Sequence, residues 1–173
     1  MIFSETFSTR RILITGNTGF KGSWMTLWLH ELGANICGYS DRELPEPSHY
    51  NLLNLKQEIR QEFGDICDAC RLRQTIEDFK PEVIFHFAAQ ALVRSSYHDP
   101  LTTIKSNTLG TATLLDVIKD ISSVKALVLI TSDKVYANME WNWGYRENDR
   151  LGGYDPYSAS KASCRIVNFV ILK

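Results

Sequence analysis

The sequence predicts an α/β fold built on a parallel, doubly wound sheet. Three observations carry that expectation. Short apolar runs alternate with longer helical stretches along the whole chain, in the order βαβ(α)βαβαβα. The runs are near-continuous in hydrophobicity, the pattern of strands covered on both faces. Right-handed crossovers between such strands then wind helices over the two faces. The 173 residues suffice for one domain with a substantial core.

The elements follow in order. Arg11 to Ile14 reads as a strand ending at Thr15-Gly16. Phe20 to Leu32 reads as a helix, with Trp24, Leu27, Trp28 and Leu32 near helical spacing and Gly33 as its stop. Asn35 to Tyr39 is the second strand, and Asp41 to Asn51, with two prolines, a loop. Ile59 to Phe63 is a short third strand. Cys67 to Phe79 is helical, broken at Pro81, and Val83 to Phe87 is the fourth strand. Pro100 to Asp120 reads as one long helix and Ala126 to Ile130 as a buried fifth strand. Asn138 to Asp155 is a glycine- and aromatic-rich loop. Asp155-Pro156 then starts a last helix, with proline in its first turn. There is no internal repeat and no low-complexity tract.

Composition narrows the function. Hydrophobic residues make up 44% and charged residues 23%, ordinary for a globular protein. A net charge of −1 offers no electrostatic grip on nucleic acid or an anionic membrane. No run approaches about 18 apolar residues, so no membrane-spanning helix is expected. The start, MIFSETFSTRR, lacks an apolar signal core, so a cytoplasmic location is expected. The four cysteines do not form a disulfide framework in a chain long enough to hold itself by burial. Cys67 and Cys70 have CxxC spacing without the two further ligands that zinc needs, so no metal site is expected. Either a redox dithiol or two small residues near a helix start fits that pair.

Two motifs carry chemistry. The first is the loop Gly16, Asn17, Thr18, Gly19, Phe20, Lys21, Gly22 between the first strand and its helix. Its GxxGxxG spacing in a βαβ unit is the context of a dinucleotide site. Gly16 would make the tight turn, Gly19 would admit a diphosphate, and Gly22 would let helix pack on strand. The helix N-terminus then faces the phosphates with free amides. After the second strand come Ser40, Asp41 and Arg42. Asp41 suits the ribose hydroxyls of NAD, whereas Arg42 suits the extra phosphate of NADP. NAD is the expected cofactor, because Asp41 would repel that phosphate.

The second motif is Tyr157-Ser-Ala-Ser-Lys161, a phenol and an amine on one helical face. The lysine charge would favour the phenolate, so Tyr157 could take a proton from an alcohol. Upstream stands TSDKVY, Thr131 to Tyr136, at the carboxyl end of the fifth strand, the edge where open α/β sheets bind ligands.

With these residues in view, the chain resembles the extended short-chain dehydrogenase/reductase family. Ser132, Tyr157 and Lys161 match its serine, tyrosine and lysine triad. Ala88, Ala89 and Gln90 fit its cofactor-flanking segment, Asp65 and Ile66 its adenine-contacting pair, and Asn107 an asparagine often found there. Within the family, the stretches 16–24, 131–136 and 144–161 are similar to nucleotide-sugar 4,6-dehydratases acting on CDP-glucose. Asn17 departs from a frequent histidine and Ser40 from the usual acidic residue.

The resemblance implies a Rossmann-type NAD-binding domain over 1–173, half of a full-length enzyme. The sheet would stop after the helix that follows strand five, and a C-terminal substrate domain would be absent. It implies a homodimer through the helices at 100–120 and 156–173. It also implies a three-stage reaction. Tyr157 takes the proton of the sugar 4-hydroxyl as hydride leaves carbon 4. A base then removes the acidified carbon-5 proton, an acid protonates the 6-hydroxyl, and water departs. Hydride finally returns to carbon 6. Asp133 is the candidate acid, Lys134 the candidate base, and Ser132 would bond the 4-oxygen. A structural ion pair between Asp133 and Lys134 is the alternative. Alone, the 173-residue chain is expected to be inactive. An epimerase or reductase of the same fold, or a non-catalytic nucleotide-binding remnant, are the other readings.

Overall fold

The computed structural model describes residues 2–171. Five parallel strands form one sheet: β1 (Arg11–Thr15), β2 (Asn35–Ser40), β3 (Arg60–Phe63), β4 (Val83–His86) and β5 (Ala126–Leu129). Their order is β3-β2-β1-β4-β5, a Rossmann-like arrangement. The chain steps outward from β1 to β3, then returns to place β4 on the other side of β1. That reversal makes the carboxyl ends of β1 and β4 the switch point where such sheets bind ligands. Register puts Thr15 beside both Tyr39 and His86, so the three strand ends are level.

Helices α1 (Ile2–Phe7), α2 (Phe20–Glu31), α3 (His49–Leu52), α4 (Ala69–Phe79), α5 (Val93–His98), α6 (Pro100–Ile104), α7 (Gly110–Ile118) and α8 (Pro156–Ile171) connect and follow the strands. None among the described residues is long and apolar enough to cross a membrane. The chain divides into two compact units. The first runs to Ala88 and takes back Asp120–Ile130; the second comprises Ala89–Lys119 and the residues from Thr131 onward.

In the first unit, β1 lies between β2 and β4, and its Ile12, Leu13, Ile14 and Thr15 are fully buried. Ile12, Ile14, Leu29, Ile36 and Phe85 form one core cluster, joined by Phe7, Met25, Ile59 and Phe87. Leu29 and Met25 bring α2 onto the sheet, and the Phe7 ring of α1 meets Phe85 at 6.4 Å. In the second unit, α7 packs on α8, and Leu114, Leu115 and Val117 of α7 are buried.

The structure corrects several expected elements. Near-continuous apolarity holds for β1, β2 and β4 but not for β3, an edge strand reading RQEF. β5 is the other edge, with Ala126 and Val128 exposed, so it is not a buried strand. The loop expected over 41–51 contains the start of α3, because Ser48 caps Asn51 and Tyr50 is buried beneath. α4 begins at Ala69, since Asp68 is extended (φ −83°, ψ 91°) and caps Arg71. The long helix expected over 100–120 is divided. α6 gives way to a π-helical turn, Lys105–Leu109, and α7 ends at Ile118. α1 and α5 lie outside every expected element.

Ile12→Ala would remove a branched side chain from the middle of the central strand. Such truncations cost about 2–5 kcal/mol. Urea unfolding of the variant should show its midpoint fall with an unchanged slope.

Candidate active site

The glycine loop is shaped by what cannot stand in it. Gly16 has φ +71°, and a Cβ there would lie 2.6 Å from the Ala88 amide nitrogen. At Gly22 a Cβ would lie 2.2 Å from the Gly16 carbonyl oxygen. Both positions are closed to any side chain. Gly19 differs: a Cβ would meet only the Gly16 oxygen, at 3.3 Å. Its outer side is open. Gly19 is also the N-cap of α2, with no side chain capping the first turn. Uncapped helix amides facing open space suit an anionic group, so this cradle fits a dinucleotide diphosphate.

The polar residues of the loop hold it from behind. Asn17 is fully buried in space left by Gly38, where a Cβ would lie 2.2 Å from Asn17 Nδ2. Asn17 donates to Gln61 at 2.7 Å and accepts from the Ser40 hydroxyl at 2.8 Å. Ser40 also accepts from the Thr18 amide at 3.3 Å, and the Thr18 hydroxyl donates to the Arg42 carbonyl at 2.9 Å. The side chains of Asn17, Thr18 and Ser40 therefore turn inward and fix the loop to the end of β2. Phe20, Lys21, Asp41 and Arg42 are exposed, the last two as an ion pair at 3.7 Å.

After β3, the exposed Asp65 accepts from the Cys67 amide at 2.9 Å, and its carbonyl accepts from the Tyr39 hydroxyl at 3.2 Å. Burial pushes the Tyr39 phenol up to about 12. Ile66 is buried. Cys67 and Cys70 are reduced, and the extended Asp68 stands between them. Two histidines add polar contacts that no motif marks. His86 meets the Thr15 hydroxyl at 2.7 Å beneath the Ala88 amide, and His49 meets Ser23 at 2.7 Å at the start of α2. Neither lies in a recognisable motif. Among the described residues no group of three His, Cys, Asp or Glu side chains could hold a metal ion.

In the second unit, TSDKVY forms a 3-10 turn, Asp133–Val135, packed against α8. Val135 is buried and anchors it. The Ser132 hydroxyl accepts from the Lys134 amide at 3.1 Å and donates to Asp133 Oδ1 at 2.9 Å. The Asp133 and Lys134 side chains are exposed.

α8 starts with Asp155 capping the Ser158 amide at 2.8 Å, followed by Pro156, which has no amide to satisfy. The next amide, of Tyr157, donates to the buried Ser96 hydroxyl of α5 at 3.2 Å. The Tyr157 carbonyl accepts from Ser160 at 2.6 Å. Lys161 follows one turn later and is buried. The Tyr157 phenol is held above its ordinary value. Burial is the main cause; a hydrogen bond with Ser132 opposes it, and Asp133, Asp155 and Cys164 add to it. The Tyr157–Lys161 spacing predicts a lowered phenol; the structure raises it, mainly by burial.

Asn107, on the π-helical turn, is buried and makes three side-chain bonds. It accepts from the Gln90 amide at 2.8 Å and donates to the Gln90 carbonyl at 3.1 Å and to Ser160 at 2.8 Å. It thus joins the backbone of Gln90 to the turn of α8 that carries Tyr157 and Lys161. The aromatic loop is tied to α8 as well. The Arg165 guanidinium lies 5.1 Å from the centre of the Tyr136 ring and donates to its hydroxyl and, at 2.6 Å, to the Glu147 carbonyl. Tyr136 stacks on Tyr145, and Trp141 on Trp143.

The profile of the family described as GDP-mannose 4,6 dehydratase matches residues 13–169, taking in both the glycine loop and the Tyr157–Lys161 turn. The chain belongs to that family. Membership agrees with the resemblance read from the three motifs. The family member CDP-glucose 4,6-dehydratase of Salmonella typhimurium is 48% identical over 167 residues, which cover 96% of this chain and 46% of that protein. The dTDP-glucose 4,6-dehydratase of Streptomyces venezuelae, solved with NAD bound, superposes with a TM-score of 0.78 at 28% identity, over 91% of this chain and 50% of the other. The UDP-glucose 4-epimerase of Brucella ovis, in complex with NAD, gives 0.74 at 25% identity, over 91% and 46%. The chain spans about half the length of these relatives.

Asn107→Ala would leave the Gln90 amide and carbonyl without their partners. An unsatisfied buried group costs about 1–3 kcal/mol. Hydrogen exchange should show the Gln90 amide losing protection well before the amides of β1 do.

Proposed function

We propose that this chain supplies the cofactor-binding and proton-transfer half of a cytoplasmic nucleotide-sugar 4,6-dehydratase, converting CDP-glucose to CDP-4-keto-6-deoxyglucose. The observation that carries this reading is the Asp133 carboxylate, which accepts at 2.9 Å from the hydroxyl of Ser132, the serine that matches the family's triad. A serine, tyrosine and lysine alone serve an oxidation or an epimerisation. Dehydration also needs an acid for the departing hydroxyl, and Asp133 stands beside the triad to provide it. The 48% identity to the Salmonella enzyme supports CDP-glucose as the substrate.

Bound NAD would supply a hydride acceptor at sugar carbon 4 that returns the hydride at carbon 6. Gly16, Gly19, Phe20, Lys21 and Gly22 would hold its diphosphate, with Asn17, Thr18 and Ser40 bracing the loop. Asp41 would take the ribose hydroxyls, with Arg42 beside it. Asp65 and Ile66 would meet the adenine. Ala88, Ala89 and Gln90 would flank the cofactor, with Asn107 fixing Gln90. Tyr157 would take the 4-hydroxyl proton, and Lys161 would stabilise the phenolate by its charge. Asp133 would protonate the 6-hydroxyl, and Lys134 would take the carbon-5 proton once bound sugar covers both side chains and removes them from water. The second half of the protein would enclose the sugar nucleotide. We also infer a homodimer through the helical stretches at 100–120 and 156–173, where Leu101, Ile104, Leu109, Ile166, Phe169 and Val170 are exposed apolar side chains.

The full-length protein with NAD and CDP-glucose should form the alkaline chromophore of a 4-keto-6-deoxy sugar. Tyr157→Phe should slow that by about 10²–10⁴-fold, the range of positioned acid–base catalysis. A 4-epimer with no chromophore would favour the epimerase reading instead. By calorimetry NAD should bind more tightly than NADP, because Asp41 opposes a 2′-phosphate. Gly19→Val should abolish binding of either by filling the diphosphate space.

A further inference from the structure

Tyr157, Lys161 and Arg165 follow one another at intervals of four along α8, so they lie along one face of the helix. The proposed reaction uses the first two. Arg165 is half-buried, and its planar, forked guanidinium bonds two other segments at once. It donates to the Tyr136 hydroxyl and, at 2.6 Å, to the Glu147 carbonyl. Its Cζ lies 5.1 Å from the centre of the Tyr136 ring and 5.9 Å from that of Phe169.

Tyr136 ends the TSDKVY stretch, two residues after Lys134 and three after Asp133. Whatever holds Tyr136 therefore holds the far end of the turn. The Ala137 amide donates to the Arg150 carbonyl and the Gly152 amide to the Val135 carbonyl, each at 2.9 Å, so Tyr136 pairs antiparallel with Leu151. The Tyr136 ring stacks on Tyr145 with ring centres 5.0 Å apart. The near end is fixed by a close approach. A Cβ on Gly153 would lie 2.2 Å from the Ser158 Cβ of α8 and 3.4 Å from the Lys134 carbonyl oxygen. The segment carrying Asp133 and Lys134 is thus fastened to α8 at two points, Gly153 against Ser158 beside Tyr157, and Arg165 on Tyr136. The Asp133 and Lys134 side chains are exposed, so their place relative to Tyr157 is set through their backbone.

We propose that Arg165 is a positioning residue for the dehydration steps, its bonds to Tyr136 and Glu147 holding the Asp133–Lys134 turn in register with Tyr157 and Lys161. This rests on the dehydratase reading and deepens it. In that reading Tyr157 works at carbon 4 of the sugar, while Lys134 and Asp133 work at carbons 5 and 6 of the same molecule. Groups from two segments must then fit one small ring, and misplacement by about 1 Å can cost a hundredfold in rate. Oxidation draws its proton transfer from α8. Dehydration also needs the turn. Loss of the clamp should therefore separate the two stages.

The test uses the full-length protein, with Arg165→Ala, Arg165→Lys, Tyr136→Phe and the double variant Arg165→Ala with Tyr136→Phe. In a single turnover with NAD and CDP-glucose, Arg165→Ala should oxidise the sugar within a few-fold of the wild-type rate. Dehydration should then slow by about a hundredfold, so the absorbance of reduced nicotinamide accumulates. Arg165→Lys keeps the charge as a single point without the fork, so it should recover the rate only in part. Tyr136→Phe removes one acceptor, keeps the ring on Tyr145 and should slow dehydration in the same direction. It carries the same test if Arg165→Ala does not fold. In the double variant Tyr136→Phe should add nothing to Arg165→Ala, because both act through one bond. Equal slowing of oxidation and dehydration, or additive losses in the double variant, would show that Arg165 only stabilises the fold.

Hydrogen exchange on the same full-length variants needs no turnover. In Arg165→Ala the Ala137 and Gly152 amides should exchange at least about tenfold faster, while the Ser158 amide, capped by Asp155, keeps its protection. Unchanged exchange at Ala137 would reject the clamp whatever the activity. A wild-type protein that oxidises no CDP-glucose would remove the dehydratase reading, while the exchange would still decide the clamp.

Discussion

In the first unit everything near the switch point depends on one close approach, that of the Gly16 backbone to Ala88 at the end of β4. No side chain can stand between them. The chain turns there with a positive φ, so the loop leaves β1 and doubles onto the start of α2 within seven residues. Gly22 repeats the constraint from the helix side against the Gly16 carbonyl. Because both contacts are backbone to backbone, they leave the helix amides free of competing side chains. The bonds of Asn17, Thr18 and Ser40 then act as a brace on a shape that glycine makes available.

The second unit reaches order by a different route, through hydroxyl and amide side chains rather than close backbone packing. Ser96, Ser160 and Asn107 are all buried and each bonds main chain. Together they fix the first turn of α8 and the segment after β4. In the proposed reaction the Tyr157 phenol would gain from this, because misplacement by about 1 Å can cost a hundredfold in rate. The Asp133 and Lys134 side chains, by contrast, are left exposed.

How legible this was in the sequence varies with the kind of signal. β1, β2 and β4 were readable because their apolar runs are buried on both faces. β3 was placed by its position between turn residues, since RQEF has no apolar pattern of its own. β5 was apolar enough to read as buried, yet in this chain it is an edge. The glycine spacing and the Tyr157–Lys161 pair were legible as a candidate site, since both rest on backbone rules that hold in any sequence. What stayed hidden was the use of individual polar side chains. Asn17 and Ser40 stand at positions associated with cofactor contact, yet their side chains turn inward to each other. Ser96 carries no motif, and its part depends on α5 lying beside the start of α8. The division of the 100–120 helix was equally silent, because Lys105–Leu109 has ordinary helical composition.

That division has a consequence for how this region can vary. A π-helical turn carries one residue more than an α-helix needs over the same rise, and it can free a carbonyl from the helical ladder. Here the Asn107 carbonyl accepts from both the Thr111 hydroxyl and the Cys164 thiol. Deleting one residue between 105 and 109 would let the ladder close as ordinary α-helix. Because the turn absorbs its extra residue locally, α7 would keep its phase and Leu114 and Leu115 their buried face. The deletion would instead draw the Asn107 carbonyl back into the ladder and away from the Cys164 thiol.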